Sequence, residues 1–277
     1  MMRTFYISFA IIALFVGCSH INEDERLIEV EMPVMPANDD TTKVFRNILI
    51  EDFTGQRCVN CPKGAQVIEQ LQESEYGNCI IAVGIYSGPF GKNVSGNLLP
   101  LTTQTGCDYY DYWKVESQPG AIINRSSSIY YSVNEWTAEV MKVLGSQSTI
   151  KMELEARLNG NDIDITISEE GIDSYNGKLQ VWVVEDSIVA VQTIPNAPDE
   201  NPEWIGGNKR DYVHNHVFRT SVNNVWGDDL TITNNEKKSQ KLTQAIDDTW
   251  NTKQLSIVAI LYNVNGVEQV IKGKVKE

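Results

Sequence analysis

The sequence predicts an α/β domain followed by an all-β domain that folds as an antiparallel β-sandwich. An apolar run at residues 48–53 precedes a short turn, two cysteines and a helical pattern of apolar residues. A second, uninterrupted apolar run at residues 79–86 is typical of a buried parallel strand. After residue 148 the apolar residues recur at every second position, which is typical of half-buried antiparallel strands.

The α/β domain is predicted over residues 43–147. Its predicted elements are strands at 44–53, 79–86 and 121–124, a helix that has Cys58 at its N-terminus and ends near residues 76–78, and a helix at 135–144. Between the second and third of these strands, residues 87–113 form a long segment that is rich in Gly, Asn and Thr. This segment ends in the aromatic cluster 109–113. We interpret this cluster as a small satellite core, with a substrate groove as the alternative.

The all-β domain is predicted over residues 148–277. Two alternating runs on either side of Asn159-Gly160 predict a hairpin, because Asn-Gly favours a tight two-residue turn. Asn176-Gly177 predicts a second turn for the same reason. Further strands are expected at residues 179–184, 212–220, 254–264 and 267–274.

Cys58 and Cys61 form a CxxC motif between the first strand and the first helix. Unpaired N–H groups and the positive end of the helix dipole favour a cysteine thiolate at this position. A zinc site would need a second pair of ligands close in sequence, which the chain lacks, and a haem attachment site would need His where Pro62 stands. The motif therefore predicts a disulfide, either redox-active or purely structural.

The order strand, turn, CxxC and helix resembles the active-site segment of thioredoxins. Asp52 precedes Cys58 by six residues, as in thioredoxins, and Pro119 resembles their cis-proline. The resemblance implies that Cys58 is the attacking, more exposed thiolate and that Cys61 is the resolving thiol. It further implies that Asp52 relays protons to Cys61 and that Pro119 shapes the substrate groove. Arg57 stands where thioredoxins carry Trp, which changes the surroundings of the first cysteine.

Three stretches extend the resemblance over both halves of the chain: residues 51–62, 119–125 and 212–219. Together they are similar to the outer-membrane-protein-28-related lipoproteins of gut and oral bacteria. The resemblance implies a lipid-anchored protein of the outer membrane, exposed at the cell surface, with a thioredoxin-like domain followed by a β-sandwich. It does not specify a biochemical activity.

The N-terminus predicts a lipoprotein signal peptide over residues 1–17. Arg3 supplies a positive charge, and residues 5–16 form an apolar run that is too short to span a bilayer. Gly17 then precedes Cys18, as in a bacterial lipobox, so cleavage there would leave Cys18 as the acylated first residue. An ordinary secretory signal cut nearby is the alternative.

Residues 18–42 predict an acidic, proline-containing tether. The acidic cluster at residues 23–25 resembles a surface-export signal, with a merely solvated tail as the alternative. The whole chain carries 23 basic and 37 acidic side chains, a formal net charge of −14. This charge and the lack of a basic cluster exclude nucleic acid as an expected partner. The expected partners are the membrane, through the lipid, and envelope or host proteins.

The remaining cysteines and the histidines leave alternatives open. Cys79 and Cys107 either pair with each other or remain as free thiols. His214 and His216 are expected on one face of a strand, bonded to a neighbouring loop and not to a metal. The long loop at residues 195–209 is a candidate ligand-binding loop. No phosphate-loop, dinucleotide or metalloprotease motif occurs, so we expect neither cofactor nor metal.

Two functions are compatible with these features. The intact CxxC favours a thiol–disulfide oxidoreductase of the cell envelope. The lipid anchor and the fused β-domain favour a non-enzymatic surface protein that uses the thioredoxin-like fold as a scaffold. The sequence leaves the choice open, because a fold hosts many functions.

We predict that Cys18→Ser abolishes lipid attachment, because the serine hydroxyl cannot accept the thioether-linked lipid. The variant should lose fatty-acid labelling and leave the membrane fraction, whereas Cys107→Ser should behave as the unmodified protein. Metabolic labelling with a fatty acid and fractionation of cells measure both effects. Full labelling of Cys18→Ser would refute the lipoprotein interpretation.

Overall fold

The computed structural model describes residues 43–92, 99–126, 128–194, 204–205 and 208–277. The predicted signal peptide, Cys18 and the tether lie outside the described residues, as does most of the candidate loop at 195–209. Within the described ranges, no helix combines the length and apolar character that crossing a bilayer requires.

The described chain is a β-rich mixed α/β fold with several sheets. The helices are α1 (Cys61–Glu73), α2 (Gly88–Gly91), α3 (Gln104–Tyr112) and α4 (Val133–Val143). The first strands are β1 (Val44–Phe45), β2 (Ile48–Thr54), β3 (Ile80–Tyr86), β4 (Gly120–Ile123), β5 (Gln147–Ser148), β6 (Ile150–Asn159), β7 (Asp162–Gly171) and β8 (Tyr175–Glu185). The later strands are β9 (Ile188–Thr193), β10 (Trp204–Ile205), β11 (Asn208–His214), β12 (Val217–Ser221), β13 (Asp228–Ile232), β14 (Lys237–Ala245), β15 (Leu255–Asn263) and β16 (Gly266–Lys274).

One eight-stranded sheet contains strands from both predicted domains. Its order is β16–β15–β8–β12–β3–β2–β4, with β13 also paired to β8. The strand β12 joins the two halves, because it runs antiparallel to β8 and parallel to β3, where Val217 lies opposite Gly84. The backbone N–H of Gly84 donates to the carbonyl of His216 at 2.8 Å. The sheet is therefore continuous across the predicted domain boundary.

Among the described residues, three large hydrophobic clusters and one smaller cluster around β3 and β12 stabilise this arrangement. The first lies between α1, α4 and the strands β2, β3 and β4, with Trp136 fully buried at its centre. The second combines β2 and β3 with α3, β8 and β15, so that Phe53 and Trp182 belong to the same cluster. The third joins β6 and β7 to β8, β13 and β15. Because the second cluster draws on both halves, neither half buries all of its apolar residues alone.

The division at residues 147 and 148 stays a prediction. Residues 43–277, where described, belong to one compact unit. The short strand β5 at the boundary pairs with β1, where Val44 lies opposite Ser148. The start of the predicted α/β domain is thus hydrogen-bonded to the start of the predicted all-β domain.

Several predicted elements are confirmed. The strand β3 is buried throughout and parallel to β2, as the uninterrupted apolar run predicts. The hairpin β6–β7 pairs Asn159 with Asp162, and Gly160 has a positive φ of 62° in its turn. A glycine adopts this conformation without the steric cost that a Cβ would impose.

The turn predicted at Asn176-Gly177 is wrong. Both residues lie within β8 and pair with Thr231 and Leu230 of β13. A Cβ on Gly177 would lie 2.3 Å from the hydroxyl of Tyr175 and 2.5 Å from a backbone carbonyl. This glycine is therefore required by close packing within a strand and not by a turn.

The strand predicted at residues 212–220 is interrupted. The strand β11 ends at His214, and β12 begins at Val217. His216, between them, has a positive φ of 58°, which redirects the chain. The expectation that His214 and His216 share one face of a strand is therefore wrong.

Arg125, which forms a buried ion pair within the first half, also contacts residues of the second half. The guanidinium of Arg125 donates from Nε and Nη2 to the two carboxylate oxygens of Glu51, both at 3.1 Å, and from Nη2 to Oε1 of Gln180 at 2.6 Å. It also lies 4.1 Å from the ring centroid of Tyr262 on β15. The side chains of both ion-pair partners are less than 5% exposed. Arg125 thus links β2 to β8 and β15 inside the protein.

We predict that Arg125→Met lowers the free energy of unfolding by about 3–5 kcal/mol, because it leaves the charge of Glu51 buried without a partner. The double variant Glu51→Leu with Arg125→Met should recover most of this loss. Guanidinium denaturation followed by tryptophan fluorescence measures both.

The matched control is Lys142→Ala, which removes an ion pair with Glu139 at an exposed lysine. Solvent screens that pair, so the control should leave stability nearly unchanged. Equal stability of Arg125→Met and the unmodified protein would contradict the role of the buried pair.

Candidate redox site

The disulfide lies where β2 leads into α1. Cys58 and Cys61 are bonded, with their Cα atoms 5.4 Å apart. Between β2 and the disulfide the chain passes Gly55, where a Cβ would come within 2.4 Å of the backbone carbon of Phe90. The backbone N–H of Cys58 donates to the carbonyl of Gly55 at 3.0 Å, which closes this turn. The turn thus holds the first cysteine close to the end of the strand.

The structure corrects the predicted position of the helix. The helix α1 begins at Cys61, not near Cys58, and Pro62 occupies its first turn. The positive end of the helix dipole therefore lies at Cys61. Arg57 does not point freely at the sulfurs, because its guanidinium donates to the carbonyl of Pro89 at 3.1 Å.

The expectation that Cys58 is the more exposed cysteine is also wrong. Cys58 is 2% exposed and Cys61 is 3% exposed. The strand β9 from the second half of the chain covers the CxxC turn. The side chain of Gln192 donates to the carbonyl of Cys58 at 2.9 Å, and the N–H of Thr193 donates to the carbonyl of Gln56 at 2.8 Å. Both sulfurs are therefore shielded from solvent by contacts that a single domain could not make.

Asp52 is a buried carboxyl group on β2. Its side chain lies in the interior, and Oδ1 has no hydrogen-bond partner among the described residues. Burial raises the pKa of Asp52 from 3.8 to about 8, because the charged form loses its hydration. The carboxyl group is therefore protonated at neutral pH and able to donate a proton.

Pro119 directly precedes β4. The Gln118–Pro119 peptide bond is cis, as the resemblance to thioredoxins implies. The side chain of Gln118 donates to the carbonyls of Thr54 at 2.7 Å and Ser87 at 3.0 Å, which holds this segment against the ends of β2 and β3. Pro119 is also buried near Gly64 of α1.

A cavity of about 690 Å³ is bordered by both Asp52 and Cys61, and we call it the redox cavity. Asp52 and Cys61 line it from the first half of the chain, and Gln192, Tyr212 and His214 line it from the second half. Cys58 is not among its lining residues in the described part of the chain. The sequence analysis predicted that Asp52 and the two cysteines share a site, but it did not predict the residues that the second half contributes.

Tyr86 and His214 form a buried pair in this cavity that the sequence analysis missed. The Tyr86 hydroxyl lies 2.6 Å from Nδ1 of His214. Burial lowers the pKa of His214 to about 4, and burial, Asp52 and Tyr212 raise the pKa of Tyr86. Both groups are therefore uncharged at neutral pH, and a hydrogen bond joins the hydroxyl and the imidazole. The motif at residues 212–219 singled out His214, but its partner lies 128 residues away.

Cys79 and Cys107 are free thiols, so the alternative of a disulfide between them is not realised. Both are partly exposed, and burial raises the pKa of each. In the described ranges, no group of three or more His, Cys, Asp or Glu residues is placed to hold a metal ion.

The fold and site define a β-rich mixed α/β protein with a buried CxxC disulfide. The chain belongs to the family described as outer membrane protein Omp28, whose model matches residues 107–277. HBP35 of Porphyromonas gingivalis is similar in structure, with a TM-score of 0.64 and 16% identity over 84% of this chain and 76% of that chain. A domain of the outer membrane lipoprotein Omp28 from Porphyromonas gingivalis has 20% identity over 47% of this chain and 89% of that chain, with a TM-score of 0.31. A comparison with curated proteins finds no match.

We predict that Asp52→Asn stabilises the protein increasingly as the pH rises from about 4 to about 8. In this window the unfolded carboxyl, with its ordinary pKa of 3.8, is ionised, whereas the folded one keeps its proton. The folded protein then binds more protons than the unfolded chain, so its stability falls with pH, by up to about 1.4 kcal/mol per pH unit.

The Asp52→Asn variant lacks this loss of stability. The difference in unfolding free energy between the variant and the unmodified protein should therefore vanish below about pH 4 and level off above about pH 8. Denaturation curves at a series of pH values measure it. Glu75→Gln, at an exposed position, is the control and should show no such trend. A pH-independent difference for Asp52→Asn would show that the carboxyl is ionised in the folded protein.

Proposed function

We propose that this protein is a lipid-anchored thiol–disulfide exchange protein of the outer membrane. Its fold would combine a thioredoxin-like arrangement around β2, β3, β4, α1 and α4 with a β-sandwich built from the later strands. The observation that carries the proposal is the uncharged, buried Asp52, which lines the same cavity as Cys61. A carboxyl group with a raised pKa beside a disulfide suits general acid–base catalysis, because it can supply the proton that a leaving thiolate needs.

The exchange proceeds in two steps with balanced electrons. A substrate thiolate attacks one sulfur of the Cys58–Cys61 bond, a mixed disulfide forms and the other cysteine leaves as a thiolate. A second substrate thiolate then displaces the protein sulfur, so that two substrate thiols become one disulfide and the protein gains two thiols. In this scheme Asp52 donates its proton to the thiolate of Cys61 and regains one from water in the redox cavity.

The roles of the two cysteines remain part of the proposal. Cys58 as the attacking thiolate and Cys61 as the resolving thiol require β9 to move, because Gln192 is bonded to the backbone of Cys58. Pro119 would then border the groove that receives the substrate. The remainder of β9 is held by the side chain of Gln56, which donates to the carbonyl of Val191 at 3.2 Å.

Anchoring through Cys18 is supported by the Gly17-Cys18 junction and by membership in an outer-membrane family. Two or more acyl chains on one residue bury enough CH₂ groups to hold a protein on a membrane. We propose that the folded part is exposed at the cell surface and that its partners are envelope or host proteins.

The test is the reduction potential of the Cys58–Cys61 pair. We expect a value between about −270 and −120 mV, the range of thiol–disulfide exchange proteins. The full chain is equilibrated in dithiothreitol and glutathione buffers, the free thiols are alkylated, and mass spectrometry counts the label on the peptide that contains both cysteines. The double variant Cys79→Ser with Cys107→Ser should titrate identically, since neither thiol takes part.

A second candidate is a non-enzymatic surface protein in which the disulfide is a structural clasp. The near-complete burial of both sulfurs under β9 favours it. In that case the potential should lie below about −300 mV, as for structural disulfides. A potential below about −300 mV would refute the exchange function, but it would not contradict the lipid anchor or the fold.

A further inference from the structure

A second cavity of about 1120 Å³ shares no lining residue with the redox cavity. We call it the aromatic cavity. It lies between the end of α3, the paired strands β8 and β13, and the turn from β15 to β16. Its aromatic lining consists of Tyr112, Trp113, Trp226 and Tyr262. Two of these residues belong to the cluster at 109–113, for which the sequence left a substrate groove open as the alternative.

The aromatic rings form a platform that solvent can reach. Tyr112 is 62% exposed. Its ring centroid lies 4.3 Å from that of Trp226 and 5.3 Å from that of Trp113. A group of aromatic side chains that remains partly exposed is a common mark of a binding site, because ring faces gain stability when an apolar surface covers them.

The platform is held in place from behind. The Tyr262 hydroxyl donates to the backbone carbonyl of Trp226, and Arg125 lies against the Tyr262 ring. Tyr109, which is buried behind Trp226, has its ring centroid 5.0 Å from that of Trp226. A ligand would therefore meet rings whose orientation is already set, which lowers the entropic cost of binding.

The polar lining of the cavity is rich in amides. Oδ1 of Asn176 accepts from the Thr231 hydroxyl at 2.8 Å, and Oδ1 of Asn263 accepts from the N–H of Asn265 at 2.8 Å. These bonds use the carbonyl oxygens of the two amides and orient their NH₂ groups as donors. Such donors suit the hydroxyl oxygens of a ligand. The four residues joined by these two bonds come from β8, β13, the end of β15 and the β15–β16 turn.

The charges in the cavity compensate one another. Nζ of Lys178 lies 2.7 Å from Oδ1 of Asp229. Arg125 is neutralised by Glu51. Among the described lining residues these three are the ones that carry full charges, and each has an opposite partner. The cavity thus offers no net charge to a cationic or anionic ligand.

We propose that the aromatic cavity binds a neutral saccharide. A sugar ring presents C–H groups on its faces and hydroxyls around its edge. The C–H faces match the rings of Tyr112 and Trp226, and the hydroxyls match the amides of Asn176 and Asn263 and the paired Lys178 and Asp229. An oligosaccharide chain could extend along the cavity. This site is independent of the disulfide and of the exchange function proposed above.

The test is titration of the full chain, purified in a detergent without a sugar headgroup, with maltotetraose, cellotetraose, laminaritetraose and mannotetraose. Isothermal calorimetry and quenching of tryptophan fluorescence should detect at least one of them with a Kd of about 1 mM or tighter. Because the ligand is uncharged, the Kd should not change between low and high salt.

Tyr112→Ala should weaken that binding at least about tenfold, because it removes an exposed face of the platform without disturbing the core. Asn263→Ala, at the half-buried end of β15, should also weaken binding, and this variant retains all four rings. Tyr131→Ala is the matched control, since Tyr131 is 37% exposed but does not line the cavity. Its binding should be unchanged.

The inference is overturned if none of the four tetrasaccharides binds at concentrations up to about 10 mM. It is also overturned if binding survives both Tyr112→Ala and Asn263→Ala unchanged. Tighter binding of indole or of a proline-rich peptide than of every saccharide would assign the platform to another ligand class. None of these results depends on the reduction potential of the disulfide.

Discussion

The ion pair between Glu51 and Arg125 is the constraint on which the shape of the interior depends. Two opposite charges are held where water cannot hydrate them, so each must keep its partner in place. The network continues from Gln180, whose side chain donates to the Tyr109 hydroxyl at 2.8 Å, and Trp182 donates to the same oxygen at 3.1 Å. Strands β2 and β8 and helix α3 are therefore fixed relative to one another by polar contacts as well as by apolar packing.

Both cavities take lining residues from both halves of the chain. The redox cavity takes Asp52 and Cys61 from the first half of the chain and His214 from the second. The aromatic cavity takes Tyr112 from the first half and Tyr262 from the second. Since the sheet is continuous through β12, the two halves cannot shift independently without breaking its hydrogen bonds. Each site is thus formed only when the whole described chain is folded.

The burial of the disulfide under β9 favours a structural role, whereas the buried titratable groups beside it favour thiol–disulfide exchange. Exchange requires a substrate thiolate to reach one of the two sulfurs, and both cysteines are nearly fully buried while Gln192 is bonded to the carbonyl of Cys58. The protonated Asp52 and the neutral Tyr86–His214 pair, in contrast, are costly to bury and contribute little to stability. Uncharged titratable groups in a cavity beside a disulfide are what the proposed proton transfer requires.

Much of the fold and part of the site follow from local sequence patterns. Alternating apolar residues determined the β6–β7 hairpin, an uninterrupted apolar run determined β3, and the spacing of Cys58 and Cys61 determined a disulfide at the start of a helix. Asp52 and Pro119 were identified by the resemblance of their segments to thioredoxins. Such features depend on residues that are close in sequence, so the periodicity of apolar residues and the spacing of motifs indicate them.

Only the tertiary structure decided which groups meet across the chain. The hydrogen bond from Gln192 to Cys58 spans 134 residues, and the one between Tyr86 and His214 spans 128. No local pattern encodes such pairs, because they follow from how the sheet is ordered and how its two halves close on each other. Gly177 shows the same limit, since Asn-Gly normally favours a turn but here packs under Tyr175 inside a strand. The sequence by itself determined the elements and the disulfide, whereas burial, proton affinity and the partners of the buried polar groups were decided by long-range packing.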